Sequence, residues 1–422
     1  MSSLVFERSL PRFAAARVVS SFGSGRSAGI GPLRLVERDA PRVPAEGWFH
    51  VDPVLSGICG SDLATLDGRS SRYFEDIVSF PFVPGHEVVG TLSEDAVGAD
   101  GAALPAGSRV VLQPVLGCAA RGIEPPCPAC LAGQVGNCGR IAFGHIRPGL
   151  QTGFCADTGG GWSSTGLVAH ASQLYAVPGG LSDTDAVTTE PVACAVHAVL
   201  AAPIAQGDVV AIVGAGTLGL LVIAALSHLA SAGRCPTPSA ILVGARYPHQ
   251  QRLASELGCT EALPPDQLAR AVRRHSRSLS YGGASGTTAT LSSGADVVID
   301  CVGSAESIEQ SIAMVRPRGT VSLVGMPGKV HVDLAPLWHR EVRLAGAYAY
   351  GTERGRDGGD APRDGVSTFS LAFDVVAAQR TGRLVTATYP LTRFEEAVAH
   401  AGAAGRRGAV KIAFDVRKGP SR

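Results

Sequence analysis

The chain has 422 residues, with 37 basic against 36 acidic side chains, a formal charge of +1 and 45% hydrophobic residues. That length exceeds one typical domain of about 100–200 residues and gives ample capacity to bury a core. Near-neutral charge leaves no electrostatic footprint for phosphate backbones or anionic membranes, which argues against nucleic acid or a membrane surface as partner.

The opening residues, MSSLVFERSLPRF, alternate apolar and charged positions, and Gly, His or Asp breaks the longest apolar runs well short of a bilayer span. The expectation is an untargeted cytoplasmic protein. Of ten cysteines, four are bunched at metal spacing and the rest are scattered through core-like segments, which fits a reducing compartment better than a disulfide framework. Residues 1–188 hold short β-like runs separated by Pro and Gly, among them WFHVDPVLSGI, PFVPGHEVVGTL and SRVVLQPVLG. From Asp208 the pattern changes to an apolar run, VVAIVG, a glycine turn and the helical run TLGLLVIAALSHLA, the start of a βαβ unit. Further strands are expected at 240–244, 296–303, 319–325 and 342–351, making a doubly wound parallel sheet. The small, polar, glycine-rich stretches at 231–240 and 276–294 read as surface insertions. After a Gly/Arg/Asp-rich stretch at 351–365, the helical pattern STFSLAFDVVAAQRTGRL and a short tail resume and pack back on the first domain.

Gly214, Gly216 and Gly219, with Thr217 and Leu218 between them, form GxGxxG after an expected strand and at an expected helix start. The first glycine permits the tight turn, the second admits a pyrophosphate to the helix amino terminus, and the third allows close helix-to-strand packing. Where an acidic side chain would grip the ribose hydroxyls, the next strand ends in Ala245 and Arg246. A guanidinium suits a 2′-phosphate, so NADP(H) is expected over NAD(H), helped by Arg252; the plain alternative is an ordinary solvated arginine.

Upstream lie two sets of metal-ligand residues. Cys118, Cys127, Cys130 and Cys138 give C-x8-C-x2-C-x7-C in a turn-rich stretch, and four thiolates close a tetrahedron around a structural zinc. A CxxC redox pair at Cys127 and Cys130 would leave the flanking cysteines unexplained. The second set is dispersed: Cys59 in GICGSD, His86 and Glu87 in PGHE, and Glu190 in TTEPVACAVHA. Taken alone, His86 reads equally as a satisfied core histidine and Cys59 as a small buried residue.

Several motifs stand in register over nearly the whole chain: GICGSD, FPFVPGHEVVG, the four-cysteine stretch, TTEPVACAVHA, VVAIVGAGTLG and DVVIDCVGS. In this order the chain resembles the medium-chain dehydrogenase/reductase superfamily, in its zinc-dependent alcohol, polyol and threonine dehydrogenase branch. The resemblance implies an α/β protein: a GroES-like β-rich catalytic domain (1–189, with a structural zinc lobe at 117–139), an inserted Rossmann domain (190–350), and a return segment (351–422) completing the first, with the active site in the cleft between. It implies two zinc ions per chain. Cys59 and His86 would hold the catalytic one, with either Glu87 or Glu190 completing the set; Asp62 would fix the tautomer of the ligating histidine, and Ser61 would pass a proton toward solvent. Without the family, Ser61 and Asp62 read as a turn serine and a capping aspartate.

Three departures stand out. Ala64 occupies the position where many relatives carry a relay histidine, so the relay ends in water, Thr65 or a cofactor hydroxyl, or is missing. The first lobe spacing is eight residues where two are usual. The segments AAARVVSSFGSGRSAGIG and IAFGHIRPGLQTGFCADTGGGW lengthen regions bordering the substrate cleft, which makes Trp162, His145 and Cys155 candidates for lining it, or else a surface tryptophan and a spare thiol. The leading expectation is NADP(H)-dependent interconversion of a small-molecule alcohol or polyol with its carbonyl. Reduction of a C=C or C=N bond on the same fold is the alternative that Ala64 keeps open, and cofactor binding without turnover is the third. The apolar run VRLAGAYAYG, read as an edge strand, points to a homodimer or homotetramer.

Overall fold

The computed structural model describes residues 1–282, 289–353 and 365–417. Parts of the glycine-rich stretches at 276–294 and 351–365, and the end of the tail, lie outside the described residues. The chain divides into two compact units, Met1–Glu190 with Ala349–Arg422, and Pro191–Tyr348.

The first unit begins with β1 (Ser2–Phe6), α1 (Leu10–Ser20) and β2 (Leu33–Glu37), with β1 and β2 paired antiparallel. The amino-terminal extension is thus folded structure, and Leu4, Phe6 and Leu33 are buried in the same core as Phe82, Trp162 and Phe414. There follow β3 (Trp48–Gly57), α2 (Gly60–Leu66), β4 (Val88–Leu92), β5 (Arg109–Leu112), β6 (Leu167–His170) and β7 (Leu174–Ala176). The alternation of apolar and polar positions along β3 buries Val51 and Leu55 and leaves Asp52 in solvent, as a half-covered antiparallel sheet requires. The boundary of the unit falls in α3 (Thr189–Ala201).

The second unit alternates strands and helices: β8 (Val209–Val213), α4 (Thr217–Ser231), β9 (Ala240–Gly244), α5 (Pro248–Glu256), β10 (Glu261–Leu263), α6 (Pro265–His275), β11 (Ala295–Asp300), α7 (Ala305–Met314), β12 (Val315–Leu323) and β13 (Arg343–Gly346). Its main sheet has six parallel strands, in the order β10-β9-β8-β11-β12-β13. That is the 3-2-1-4-5-6 order of a doubly wound dinucleotide-binding sheet, whose switch point lies between β8 and β11. Every residue of β8 and β9 is buried, which continuous Val/Ile/Leu runs permit only where both faces of a sheet are covered. The strand expected over 342–351 is shorter: only Arg343–Gly346 pairs, and all four residues are exposed.

The return segment supplies α8 (Thr368–Gln379), β14 (Val385–Tyr389), α9 (Phe394–Gly402) and β15 (Lys411–Asp415) to the first unit. Its sheet runs β14-β15-β3-β4-β5-β7, with β6 also on β3. Residues near the carboxyl end are thereby built into the middle of the amino-terminal sheet. Among the described residues no helix is long and apolar enough to cross a membrane.

Candidate active site and metal centres

Cys59 caps α2, and the side chain of Asp62 turns back so that its Oδ2 accepts the Cys59 N–H at 2.9 Å. The other oxygen, Oδ1, faces His86 Nδ1 at 3.5 Å. Both expected readings of Asp62, cap and histidine partner, therefore hold in one side chain. Neither Asp62 Oδ1 nor His86 Nδ1 has another hydrogen-bond partner, and both residues are buried. With Nδ1 turned to the carboxylate, Nε2 is left to the Cys59 side.

Cys59, His86 and Glu87 offer a sulfur, a nitrogen and an oxygen that all lie within 4.8 Å of one another. A thiolate, an imidazole and a carboxylate in one cluster are the donor types zinc takes in open, three-ligand sites, and a zinc ion fits this set chemically. Glu87 carries a further partner: its Oε2 is ion-paired with Lys411 Nζ, both side chains almost wholly buried, and Lys411 also donates to the Ile58 carbonyl at 3.3 Å. Gly57 makes room, because a Cβ there would overlap Glu87 Oε2. Burial works against a charged Lys411, but Glu87, Cys59 and Glu190 together hold the ammonium above its usual range. Burial likewise opposes a charged His86, and the charge and hydrogen bond of Asp62 together with Cys59 carry it upward.

Glu190 stands outside that three-residue cluster, at the start of α3, yet it feels the charges of His86, Glu87 and Lys411 and the influence of the Tyr350 hydroxyl. Burial pushes its carboxyl up to about 7. Ser61 is half-buried, and its carbonyl accepts from Thr65 Oγ1 at 2.9 Å; the same Thr65 hydroxyl pairs with Ser70 at 3.0 Å, so it is already committed. Lys411 and Tyr350 were not expected from sequence, although Lys411 carries a signal, a lone cation in the apolar strand KIAFD.

The four-cysteine lobe is compact. All four sulfurs lie within 4.8 Å of one another, with Cys118 and Cys138 at 3.6 Å and Cys127 and Cys138 at 3.9 Å. A tetrahedron of zinc–sulfur bonds of about 2.3 Å sets sulfurs about 3.8 Å apart, so the lobe fits that ion without rearrangement. Backbone N–H groups of Cys127 and Arg140 already donate to Cys118 and Cys138 sulfurs, at 3.3 and 3.4 Å. Burial opposes ionisation of Cys127, but hydrogen bonds from Cys130 and Gly139 bring it down to about 6.

In the second unit the glycine turn follows β8, with Gly214 at φ +92° and Gly216 capping α4. Space beyond Gly216 is open, whereas a Cβ at Gly219 would overlap the Gly214 carbonyl oxygen. Thr217 and Leu218 form the first turn of α4, with N–H groups at a helix amino terminus. Arg246 is exposed just past β9, while Arg252 lies on α5 in an ion pair with Glu256 at 3.6 Å.

Two of the side chains expected to line a substrate cleft lie elsewhere. Trp162 is fully buried, donates to the Gly57 carbonyl at 3.1 Å and packs on Phe414, and Cys155 is buried beside Leu116 and Ile146. The expanded loop folds inward because it has its own small core. His145 is exposed, its ring 6.3 Å from that of Trp48.

Two family models match. The alcohol dehydrogenase GroES-like domain covers residues 45–179, and the zinc-binding dehydrogenase model covers 219–358. A protein of Agrobacterium fabrum described as a D-xylulose reductase is 31% identical over 297 residues, 70% of this chain and 73% of its own length. D-xylulose reductase A of Aspergillus oryzae is 28% identical over 77% of this chain and 81% of that protein. In fold, galactitol-1-phosphate dehydrogenase of Escherichia coli is similar with a TM-score of 0.66 and 20% identity, over 98% of this chain and all of that one.

Proposed function

The chain belongs to the zinc-dependent alcohol and polyol dehydrogenase branch of the medium-chain dehydrogenase/reductase superfamily, a nicotinamide-linked enzyme family, and from that premise we propose that it interconverts a small alcohol or polyol with its carbonyl compound using NADP(H). The observation that carries the reading is the Cys59–His86–Glu87 cluster, three donors of different chemistry within 4.8 Å. Cys59, His86 and Glu87 would hold one zinc ion, with Glu190 as the second carboxylate in range, and Cys118, Cys127, Cys130 and Cys138 a second ion. Bound at the first site, zinc supplies Lewis acidity toward the substrate carbon–oxygen bond, while the nicotinamide gives or takes the hydride.

The protein's own residues do the rest. Asp62 holds the His86 ring from behind and leaves Nε2 as the ligating nitrogen. Ser61 supplies a hydroxyl two residues after Cys59, and with Ala64 and a committed Thr65 around it the proton passes from Ser61 Oγ to water. Gly216 and the amino terminus of α4 receive the pyrophosphate, and Arg246 supports NADP(H) by standing where an acidic side chain would select NAD(H). The exposed strand β13 supports a homodimer or homotetramer.

The test is elemental zinc per chain, alongside initial rates on alcohols and polyols with each cofactor. Two zinc ions are expected, falling to one in Cys59→Ser with the rate abolished. One ion that survives the substitution removes the catalytic site, and better turnover with NAD(H) than with NADP(H) removes the cofactor assignment.

A further inference from the structure

Arg121 sits inside the eight-residue spacing that sets this lobe apart, three residues after Cys118, and is fully buried. All five of its side-chain hydrogen bonds go to backbone carbonyl oxygens. Nε donates to Leu116 at 2.9 Å, one terminal nitrogen to Phe143 at 2.8 Å and to Ile146 and Arg147 at 3.3 Å each, and the other to Gly149 at 2.6 Å. In return the Arg121 carbonyl accepts from His145 N–H at 3.2 Å. A buried cation is costly unless something balances its charge. The groups whose charge acts on it are Cys155, then Cys138 and Cys118 of the lobe, and then Asp157. Four thiolates around a divalent ion carry a net charge of about −2, so the guanidinium and the loaded lobe need each other.

The loop that Arg121 gathers leads onward. Arg147 N–H donates to Asp157 at 2.7 Å, Ala156 N–H donates to Ser79 at 2.9 Å, and Phe154 between them places its ring 5.9 Å from that of His86. We propose that Arg121 is a positioning residue for the metal of the four-cysteine lobe, balancing its thiolate charge while pinning the 143–149 loop around it. This rests on the reading of the lobe as a zinc site.

The experiment follows zinc release from the purified full chain to a chromogenic chelator, with circular dichroism and melting temperature measured in parallel, for the wild type, Arg121→Met and Arg121→Lys. The wild type should hold two ions that leave in two phases. Arg121→Met should speed the lobe phase by about 10- to 100-fold, the range by which partners of metal ligands tune affinity, and leave the Cys59 phase unchanged. Arg121→Lys keeps the charge and loses the fork, so it should recover part of that loss, which a residue that only pins a loop would not show. Release of the lobe ion from Arg121→Met within about twofold of the wild type, or equal acceleration of both phases with a fallen melting temperature, overturns the proposal. So does failure of both variants to fold. A wild-type lobe that holds no zinc sinks the metal reading as well, and that result is visible before any variant is made.

Discussion

Glu87 and Lys411 form an ion pair between residues 324 positions apart, with both side chains almost wholly buried. The energetics of such a pair are lopsided: it adds little over an apolar replacement, but removing one partner strands the other and costs about 3–5 kcal/mol. In zinc-stripped protein Lys411→Met should therefore destabilise by that amount in denaturant unfolding, and adding Glu87→Gln should restore most of it. A double variant no better than the single one would show that Lys411 acts through packing alone. Glu190 gives a second test. Its buried carboxyl titrates near 7 in the fold against an ordinary 4.5, so between these values the folded chain holds a proton that the unfolded chain has released. Stability from this group is full below about 4.5 and is lost as pH rises through about 7, by about 3 kcal/mol at the outside. Melting temperature of the zinc-stripped protein against pH should flatten in Glu190→Gln; an unchanged slope sinks the assignment. At this scale, sequence picked out candidate residues and not their company. Cys59, His86 and Glu87 were legible because motif residues recur in order, whereas Lys411 and Tyr350 arrive by long-range folding that no spacing encodes. Trp162 and Cys155 were misplaced for the same reason, since Trp162 packs into the large core with Phe82 and Phe414 and Cys155 into a small one beside Leu116 and Ile146.

Elements were legible where the signal is local. The glycine turn after β8 could be read directly, because strand, turn and helix are contiguous and each glycine answers a steric need. Gly219 shows that need most plainly: α4 leaves β8 so closely that a methyl group would occupy the place of the Gly214 carbonyl oxygen. Since that contact is with backbone, nothing flexible can give way, and Gly219→Ala should shift the first turn of α4 and cost about 1–3 kcal/mol. The turn also carries the N–H groups proposed to receive the pyrophosphate, so cofactor affinity should fall by more than tenfold, about 1.4 kcal/mol, in a fluorescence titration with NADPH. Native affinity with an intact melting temperature would mean that the helix can move without consequence. Strand β13 was overestimated because an apolar run such as VRLAGAYAYG carries no mark of where pairing stops. After Gly346 the chain instead leads on to Tyr350, whose buried ring meets that of Phe369 and whose hydroxyl influences Glu190.

For the whole molecule, the order of motifs conveyed both the composition of each unit and the return of the chain to its first sheet, because β15 follows a complete doubly wound unit. Assembly is a separate matter, decided by what the second unit leaves unpaired. Strand β13 ends the six-stranded sheet with four exposed residues, Leu344 among them at 40%, and Trp338 stands 81% exposed just before it. An open edge next to apolar side chains is a template for another strand, and natural proteins blunt such edges with charge or cover them. A two-fold copy would pair β13 with itself antiparallel and continue the sheet; with the axis at Leu344 that residue faces its own counterpart, and the other positions pair across it. Like charges placed directly opposite are repelled, so Leu344→Asp should raise the dimer dissociation constant at least tenfold, about 1.4 kcal/mol, while circular dichroism stays unchanged. Sedimentation equilibrium at micromolar concentration is the measurement. A wild type that sediments as a monomer, or a Leu344→Asp variant that remains as tightly dimeric, would remove this edge as the interface.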